Sequence, residues 1–322
     1  MAHIYLDELQ HLAAAALAAA GAHPEMAEST ARALVHADSQ GLVAQGVARV
    51  PGYAAHLRTG RAKGAARPRL AREHGGTALI DAGSGLAYPA CALAAAQATE
   101  RARQHGVAFV AVVNSHHFGA AAYHLEAIAA AGMVGLAVGN SPAAMPAWGG
   151  RRPLLGTNPV AAAFPRRRAA PLEIDLTPAE ATRGQLMIAA RDGEPIPEGW
   201  ALDAEGRPTT DPRAGLAGTI LPAAGAKGTM LALIIELLVC SLSGAQFGFE
   251  TESLFDDEGG PARLHTSSYL ERVETLIEAM LHDDGVRLPG ERRIALRKQA
   301  LQHGVDIPDT LLAQLRGMCG AG

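Results

Sequence analysis

Short apolar runs alternate with alanine-rich segments over residues 76–140, and this alternation limits the possible fold more than any other feature. The runs TALIDA, VAFVAVVN and MVGLAVGN predict three strands, and the segments between them, residues 89–106 and 119–131, predict helices. Further strands are expected at PVAAAF and LEIDL. Alternating strands and helices are typical of an α/β domain with a largely buried sheet.

Both ends of the chain predict helices. The apolar positions of residues 5–20 share one helical face up to Gly21, and a second helix is expected from Pro24 to near Gly41. An apolar helix is expected at residues 228–243, after a Gly- and Pro-rich surface loop at 191–212. YLERVETLIEAM, ERRIALRKQALQ and PDTLLAQLRGM predict three amphipathic helices at the other end. We expect a helical domain of residues 1–74 and 286–322 beside an α/β domain of residues 75–285.

Composition excludes several broad classes of protein. The longest apolar run, LALIIELLVC, is shorter than the ~18 residues of a membrane-spanning helix. The first residues lack the basic and then apolar pattern of a secretory signal, and the three cysteines are widely spaced, as in reducing compartments. Net charge is −4 with dispersed basic residues, which argues against nucleic-acid binding. We therefore expect a cytoplasmic protein that binds neither membrane nor nucleic acid.

Common catalytic motifs are missing from the sequence. Gly83-Ser84-Gly85 comes near the G-x-G-x-x-G dinucleotide fingerprint but has Tyr88 at the third glycine, which favours a plain turn. Lys227 and Thr229 are separated by a glycine, so no phosphate-binding P-loop exists there. The histidines near residue 117 lack the helical spacing of metal ligands, and no G-x-S-x-G elbow occurs. Metal-dependent, ATP-dependent and serine-hydrolase chemistry are therefore disfavoured.

Polar residues follow several of the predicted strands. Each alone is more often a helix cap, but together they favour a ligand site, because ligands bind at strand ends of α/β sheets and at the helix starts that follow. The residues are His116, His117, Asn140, Ser141, Asp175, Thr177 and, in a Gly-rich turn, Lys227.

Five stretches resemble the malate/L-lactate dehydrogenase family of NAD(P)-dependent oxidoreductases, which is distinct from the Rossmann-type dehydrogenases of similar name. The resemblance covers nearly the whole chain, and the stretches occur in the family's order. It implies an α/β fold of non-Rossmann type, with helical terminal segments beside a mixed sheet. It also implies a homodimer, NAD or NADP as cofactor and a small carboxylate substrate. The stretches are NSHHFGAAAYH, WGGRRPLLGTNPVAAAFP, GEPIPEGWALDAEGRPTTDP, GAKGTMLALIIELLVCSLSGAQFG and GVRLPGERR.

The resemblance also implies roles for single residues. His117 becomes the catalytic acid or base beside the nicotinamide, whereas His116 occupies a variable position. Arg49 matches the arginine that holds the substrate carboxylate, Thr157 lies in a motif that lines the substrate pocket, and Lys227 holds the cofactor or polarises the substrate oxygen. The positions expected to contact the cofactor are Ser141, Asp175, Leu176, Thr177, Arg183, Gly184, Lys227, Gly290 and Glu291.

The chain departs from the family pattern in three places. Ala44 and Gln45 replace a serine and a histidine, and Gln45 can hydrogen-bond a substrate but cannot exchange a proton near neutral pH. About a dozen residues are missing between Arg263 and Tyr269, where relatives carry an additional strand. The cofactor-side motif is also altered, with Pro-Ala at residues 178–179 where the family commonly has Thr-Ser.

The expected reaction is hydride transfer between a nicotinamide cofactor and a 2-hydroxy or 2-oxo acid. A histidine suits the proton transfer, and the planar fork of an arginine suits the carboxylate. Reduction of a cyclic imine acid is the first alternative, because an already protonated iminium needs no proton donor. A catalytically degenerate member with a structural or regulatory role is the second. The sequence does not decide between NAD and NADP.

Overall fold

The computed structural model of the chain describes residues 3–252, 260–261, 265–303 and 305. They belong to two compact units, Met1–Val286 and Arg287–Gly322. The predicted division into residues 1–74 with 286–322 and residues 75–285 stays a prediction. No helix in the described part of the chain is long and apolar enough to cross a membrane.

Three helices open the larger unit, as the sequence predicts for this region. Gly21 follows the first with φ +106°, Pro24 begins the second, and Gly60 ends the third in the left-handed region at φ +80°. Alanines at the contact let the first two helices approach closely around Leu17 and Leu34, which are fully buried. The helices are α1 (Leu6–Ala19), α2 (Pro24–Ser39) and α3 (Val50–Thr59).

The next elements form a three-stranded sheet with one helix. Strand β1 (Arg69–His74) was not predicted, because its polar sequence forms an exposed edge that pairs antiparallel with β2 (Thr77–Asp81). Helix α4 (Tyr88–His105) connects β2 to β3 (Phe109–Val113), which runs parallel to β2. Both parallel strands therefore end at the same edge of the sheet.

A second sheet consists of three antiparallel strands whose alanines pack on a short helical segment. The helix predicted at residues 119–131 is shorter than expected, a 3₁₀ turn at Ala122–Leu125 followed by α5 (Glu126–Ala130). The predicted strands are confirmed as β4 (Gly135–Val138), β5 (Val160–Phe164) and β6 (Leu172–Leu176).

The rest of the larger unit is mostly helical. The segment expected to be a surface loop contributes two short strands to a third sheet, which corrects that prediction. The expected apolar helix is confirmed, and it continues into a π-helical turn, Leu237–Ser241. The elements are α6 (Arg183–Asp192), β7 (Ala201–Leu202), β8 (Pro208–Thr209), α7 (Pro212–Ala217), β9 (Thr219–Ile220), α8 (Ala226–Glu236) and α9 (Tyr269–Leu281).

The smaller unit contains α10 (Glu291–His303), the second of the predicted C-terminal helices. The third, PDTLLAQLRGM, lies outside the described residues. The shortened stretch between Arg263 and Tyr269 is described from residue 265 onward.

Candidate active site

The loop that carries the two histidines is fixed at the common edge of β2 and β3. The side-chain amide of Asn114 donates to the Asp81 carboxylate over 2.8 Å, and the backbone N–H of Ser84 donates to the Asn114 carbonyl over 2.7 Å. The His116 N–H donates to the carbonyl of Gly85 over 3.3 Å. The near-fingerprint turn at residues 83–85 therefore anchors the histidine loop, which agrees with its interpretation as a plain turn.

One side of α3 faces both histidines. Arg49 directly precedes the helix, and Tyr53 and His56 lie four and seven positions further, a spacing that puts all three on one helical face. The Tyr53 hydroxyl lies 2.6 Å from Nδ1 of His117, and Nδ1 of His56 lies 2.8 Å from Nε2 of His116. Helix α3 thus holds each imidazole through a separate side chain.

The environment of His117 keeps its imidazole neutral. Burial, helped by the positive charge of Arg49 and by His124, lowers the pKa of His117 to about 3. Burial also lowers the pKa of His116 well below its usual value. Nε2 of His117 has no hydrogen-bond partner among the described residues, so this nitrogen can act on a bound molecule.

Arg49 is the last residue of the 3₁₀ turns at residues 43–49, and its side chain lies near the start of α6. Its Nε donates to the Ala44 carbonyl over 2.7 Å, which fixes the plane of the guanidinium. A Cβ at Gly184 would lie 3.5 Å from both Nη2 of Arg49 and the Ala44 side chain. Oε1 of Gln45 is buried and accepts no hydrogen bond from any described residue. The structure therefore brings together Arg49, Gln45 and Gly184 from the predicted set.

A second group of predicted residues meets at one end of the second sheet, after β4 and β6 and before β5. The Thr157 N–H donates to the Ser141 hydroxyl over 3.0 Å, and the two hydroxyl oxygens are 3.2 Å apart. The Thr177 hydroxyl donates to the Thr157 carbonyl. These contacts hold three predicted hydroxyl groups together at this end of the sheet.

Asp175 and Leu176 lie at the exposed end of β6. The Asp175 carboxylate accepts the Ala122 N–H over 2.9 Å at the start of the 3₁₀ turn that follows the histidine loop. Burial raises the pKa of Asp175, and that hydrogen bond partly opposes the increase. Leu176 is 46% exposed. In this structure Asp175 therefore stabilises the segment after His117.

Two cationic side chains lie in the first turns of neighbouring helices. Arg183 begins α6 and exposed Lys227 is the second residue of α8, and a bridge between Ala179 and Pro222 joins the segments before them. A Cβ at Gly228 would lie 2.2 Å from the Ala223 carbonyl oxygen, so this turn needs glycine. Helix starts that carry positive charge attract phosphates, so these residues fit the pyrophosphate of a dinucleotide.

Gly290 and Glu291 belong to the smaller unit. Gly290 has φ +91°, and the Glu291 carboxylate accepts the Leu288 N–H over 3.3 Å at the start of α10. Their cofactor role stays a prediction.

Tyr53, Tyr88 and His56 were not identified from the sequence. The Tyr88 hydroxyl lies 3.4 Å from that of Tyr53, which connects it to His117. The spacing of Arg49, Tyr53 and His56 was a usable signal, because residues at i, i+4 and i+7 share a helical face.

Comparisons with known proteins show the family to which the chain belongs. The family model of malate/L-lactate dehydrogenase matches residues 4–316. A (2R)-3-sulfolactate dehydrogenase (NADP(+)) of Chromohalobacter salexigens is 46% identical over 324 residues, which are 97% of each chain. A Δ1-pyrroline-2-carboxylate/Δ1-piperideine-2-carboxylate reductase of Pseudomonas putida is 36% identical over 91% of each chain. The crystal structure of Δ1-piperideine-2-carboxylate reductase from Pseudomonas syringae pv. tomato matches with a TM-score of 0.78 and 32% identity, over 98% of this chain and 99% of that one.

The fold and these matches define an NAD(P)-dependent oxidoreductase. The chain belongs to the malate/L-lactate dehydrogenase family. The predicted family, fold class, enzyme class and cofactor are thereby confirmed.

Proposed function

We propose that this oxidoreductase interconverts a small 2-hydroxy acid and its 2-oxo acid, with His117 and Arg49 acting on the substrate. The observation that supports the assignment is the arrangement at α3. Nδ1 of His117 is held by Tyr53, its Nε2 has no partner among the described residues, and Arg49 precedes the same helix. A proton acceptor and a carboxylate-binding cation are therefore carried on connected elements.

His117 transfers the proton. The nicotinamide, when bound, supplies the hydride chemistry at the substrate carbon. In the oxidation direction Nε2 of His117 removes the hydroxyl proton, and in the reduction direction the imidazolium returns it to the oxygen. General acid and base catalysis of this kind typically contributes ~10²–10⁴-fold.

Arg49 holds the substrate carboxylate and also adjusts His117. Its planar fork binds a carboxylate at two points and fixes the direction of the reacting carbon. Because the charge of Arg49 helps to lower the pKa of His117, a carboxylate bound to Arg49 offsets that charge. Substrate binding therefore makes His117 a better base.

The remaining predicted residues are assigned to the cofactor and the pocket. Arg183 and Lys227 attract the pyrophosphate at two helix starts, and Gly184 keeps the turn beside Arg49 open. Thr157 and Gln45 line the substrate side. The other proposed cofactor contacts are Ser141, Asp175, Leu176, Thr177, Gly290 and Glu291.

Hydride transfer by the purified chain tests the proposal. NADH and NADPH are followed at the nicotinamide absorbance with a panel of 2-oxo acids, and NAD and NADP with 2-hydroxy acids. The panel includes 3-sulfolactate, the compound in the name of the 46% identical relative. We expect turnover with at least one acid and a loss of turnover, with cofactor affinity retained, in His117→Ala. Equal turnover in that variant would remove His117 from the mechanism.

Reduction of a cyclic imine acid is the second candidate function. Gln45 has a buried side-chain oxygen without a donor among the described residues, and that oxygen can accept a hydrogen bond from a protonated iminium. Two of the compared relatives are named for such reductases. Turnover of Δ1-piperideine-2-carboxylate without turnover of any 2-oxo acid would favour this candidate.

A degenerate member without turnover is the third candidate, and the replacements at Ala44 and Gln45 are its support. Titration with NADH and NADPH, followed by nicotinamide fluorescence, separates it from the other two. Binding of neither cofactor favours the degenerate protein. Binding that Lys227→Ala abolishes favours a working site.

The assembly and the location complete the proposal. We infer a cytoplasmic homodimer. Large apolar side chains on β4 and β6, including Leu136 at 71% exposure and Ile174 at 43%, offer a surface for a second copy. Light scattering during size-exclusion chromatography measures the mass, and a monomer would contradict the proposal.

A further inference from the structure

Tyr53 contacts the proposed base from inside the protein. Its side chain is 4% exposed. Its ring makes edge-to-face contacts with the imidazoles of His116 and His117, with centroid distances of 5.2 Å and 6.1 Å. Among the described residues its hydroxyl contacts Nδ1 of His117 at 2.6 Å and the Tyr88 hydroxyl at 3.4 Å. The three groups form a buried chain that ends at the imidazole.

Tyr53 and Tyr88 are both neutral at ordinary pH. Burial raises the pKa of Tyr53 to about 12, and burial also raises the pKa of Tyr88 well above its usual value. A neutral phenol has one proton, so Tyr53 donates to only one of its two neighbours and accepts from the other. The direction of these hydrogen bonds decides which nitrogen of His117 carries the proton.

A base that removes the substrate's hydroxyl proton needs a free lone pair on Nε2. In the neutral imidazole this requires the proton on Nδ1. We propose that Tyr53 is a positioning residue, which accepts the Nδ1–H of His117, donates its own proton to Tyr88 and so keeps Nε2 unprotonated towards the substrate. This inference rests on the proposed role of His117 as the base.

Gly119, two residues after His117, leaves room for the Tyr88 hydroxyl beside Tyr53. Gly119 has φ +72°, and a Cβ there would lie 2.4 Å from the Tyr88 hydroxyl oxygen. A larger residue at 119 is strained and displaces that hydroxyl, which removes the acceptor for the Tyr53 proton. The local sequence thus makes room for the last member of the chain.

A phenol at Nδ1 acts differently from a carboxylate. A carboxylate stabilises the imidazolium and raises the pKa of the histidine, whereas a neutral phenol fixes the ring with little effect on its charge. The basicity of His117 then depends on burial and on Arg49, whose charge the substrate carboxylate offsets. Tyr53 therefore orients the base, and the substrate activates it.

Two measurements on the full chain test the inference. The first compares kcat, KM and the pH profile of hydride transfer in Tyr53→Phe with wild type, with Tyr5→Phe as the control, since Tyr5 is 75% exposed. The second records ¹⁵N chemical shifts of labelled histidines, with the His117 signals assigned through His117→Asn. Gly119→Ala is the second variant, because it removes the Tyr88 acceptor without changing Tyr53.

We expect Tyr53→Phe to lower kcat about 100-fold with an unchanged affinity for the nicotinamide cofactor, as a misplaced reacting group does. The wild-type shifts should show Nδ1–H on His117, and Tyr53→Phe and Gly119→Ala should each move the population towards Nε2–H. Wild-type His117 in the Nε2–H form, or Tyr53→Phe with wild-type kcat and shifts, would overturn the inference. The chemical shifts can be measured without turnover. If the wild-type protein shows no activity, that result counts against the proposed function, and the tautomer of His117 still decides the role of Tyr53.

Discussion

The side-chain amide of Asn158 donates a 2.7 Å hydrogen bond to the carboxyl group of Glu236, the last residue of α8 before the π-helical turn. The other carboxyl oxygen accepts the Gly248 N–H over 2.7 Å and the Cys240 thiol over 3.6 Å. Glu236 is fully buried. One carboxyl group therefore connects α8 and its π-helical turn with the start of β5 and with the loop after the turn.

Glu236→Ala should destabilise the protein strongly. The variant leaves the N–H of Gly248 and one N–H of Asn158 buried without their acceptor, and each such loss costs about 1–3 kcal/mol. It also opens a cavity beside α8. We expect a lower free energy of unfolding in urea, with Glu198→Ala as the exposed control. Equal stability of the two variants would contradict the structural role of Glu236.

Stability should fall as the pH falls from about 6.5 to about 3. Over this range His117, whose folded pKa is about 3, stays neutral in the folded state but becomes protonated in the unfolded chain near 6.5. The unfolded state then binds more protons, so each such group lowers the free energy of unfolding by up to about 1.4 kcal/mol per pH unit. His116 and His124 act in the same direction, because burial lowers both pKa values.

Glu236 opposes this trend. Burial raises its pKa from 4.5 to about 7, so the folded state binds the proton more tightly than the unfolded chain does. The stability that this proton contributes is fully present below pH 4.5 and is lost as the pH rises from 4.5 through 7. Urea unfolding from pH 3 to pH 8 measures the sum. We expect His117→Gln to flatten the curve below pH 6.5, whereas an unchanged curve would show that His117 titrates normally in the folded protein.

Local patterns explain which parts of this structure could be predicted. Strands β2 and β3 and helix α4 follow from runs of apolar residues in the sequence, and these predictions are confirmed. Edge strand β1 has no such run, since its residues are mostly exposed and its pairing with β2 holds it. The helix predicted from Gly119 begins later, because that residue has a left-handed backbone conformation.

Residues of the candidate site could be predicted where they belong to one sequence motif. Contacts between segments that are distant in the sequence could not be predicted. The resemblance predicts His117 and Arg49 as site residues, but Tyr53 and His117 lie 64 positions apart, and no local pattern indicates their contact. Glu236 was visible as a single acid within an apolar run, but its donors Asn158 and Gly248 come from other segments. Partners of buried polar groups depend on tertiary structure, which a single sequence does not display.

Arg272→Ala should lower stability by about 3–5 kcal/mol, the usual cost of breaking a buried ion pair. Arg272 is 2% exposed, donates two 2.9 Å hydrogen bonds to the Glu250 carboxylate and lies 3.8 Å above the Phe247 ring. The variant loses these contacts and leaves the carboxylate without its main partner. Thermal and urea unfolding measure the change. Arg207→Ala, at an exposed ion pair, is the control, and an equally small effect at Arg272 would contradict this prediction.

Arg49→Lys should reduce kcat/KM for the acid substrate by about 10- to 100-fold, because charge-assisted hydrogen bonds of about 1.5–3 kcal/mol are lost with the planar fork. The lysine keeps the positive charge, so His117 still experiences it, but it cannot bind the carboxylate at two points. The loss should appear mainly in KM for the acid, with an unchanged affinity for the nicotinamide cofactor. Steady-state kinetics with Arg58→Lys, on the exposed side of the same helix, provide the matched control. If both variants keep the wild-type KM for the acid, a residue other than Arg49 binds the substrate carboxylate.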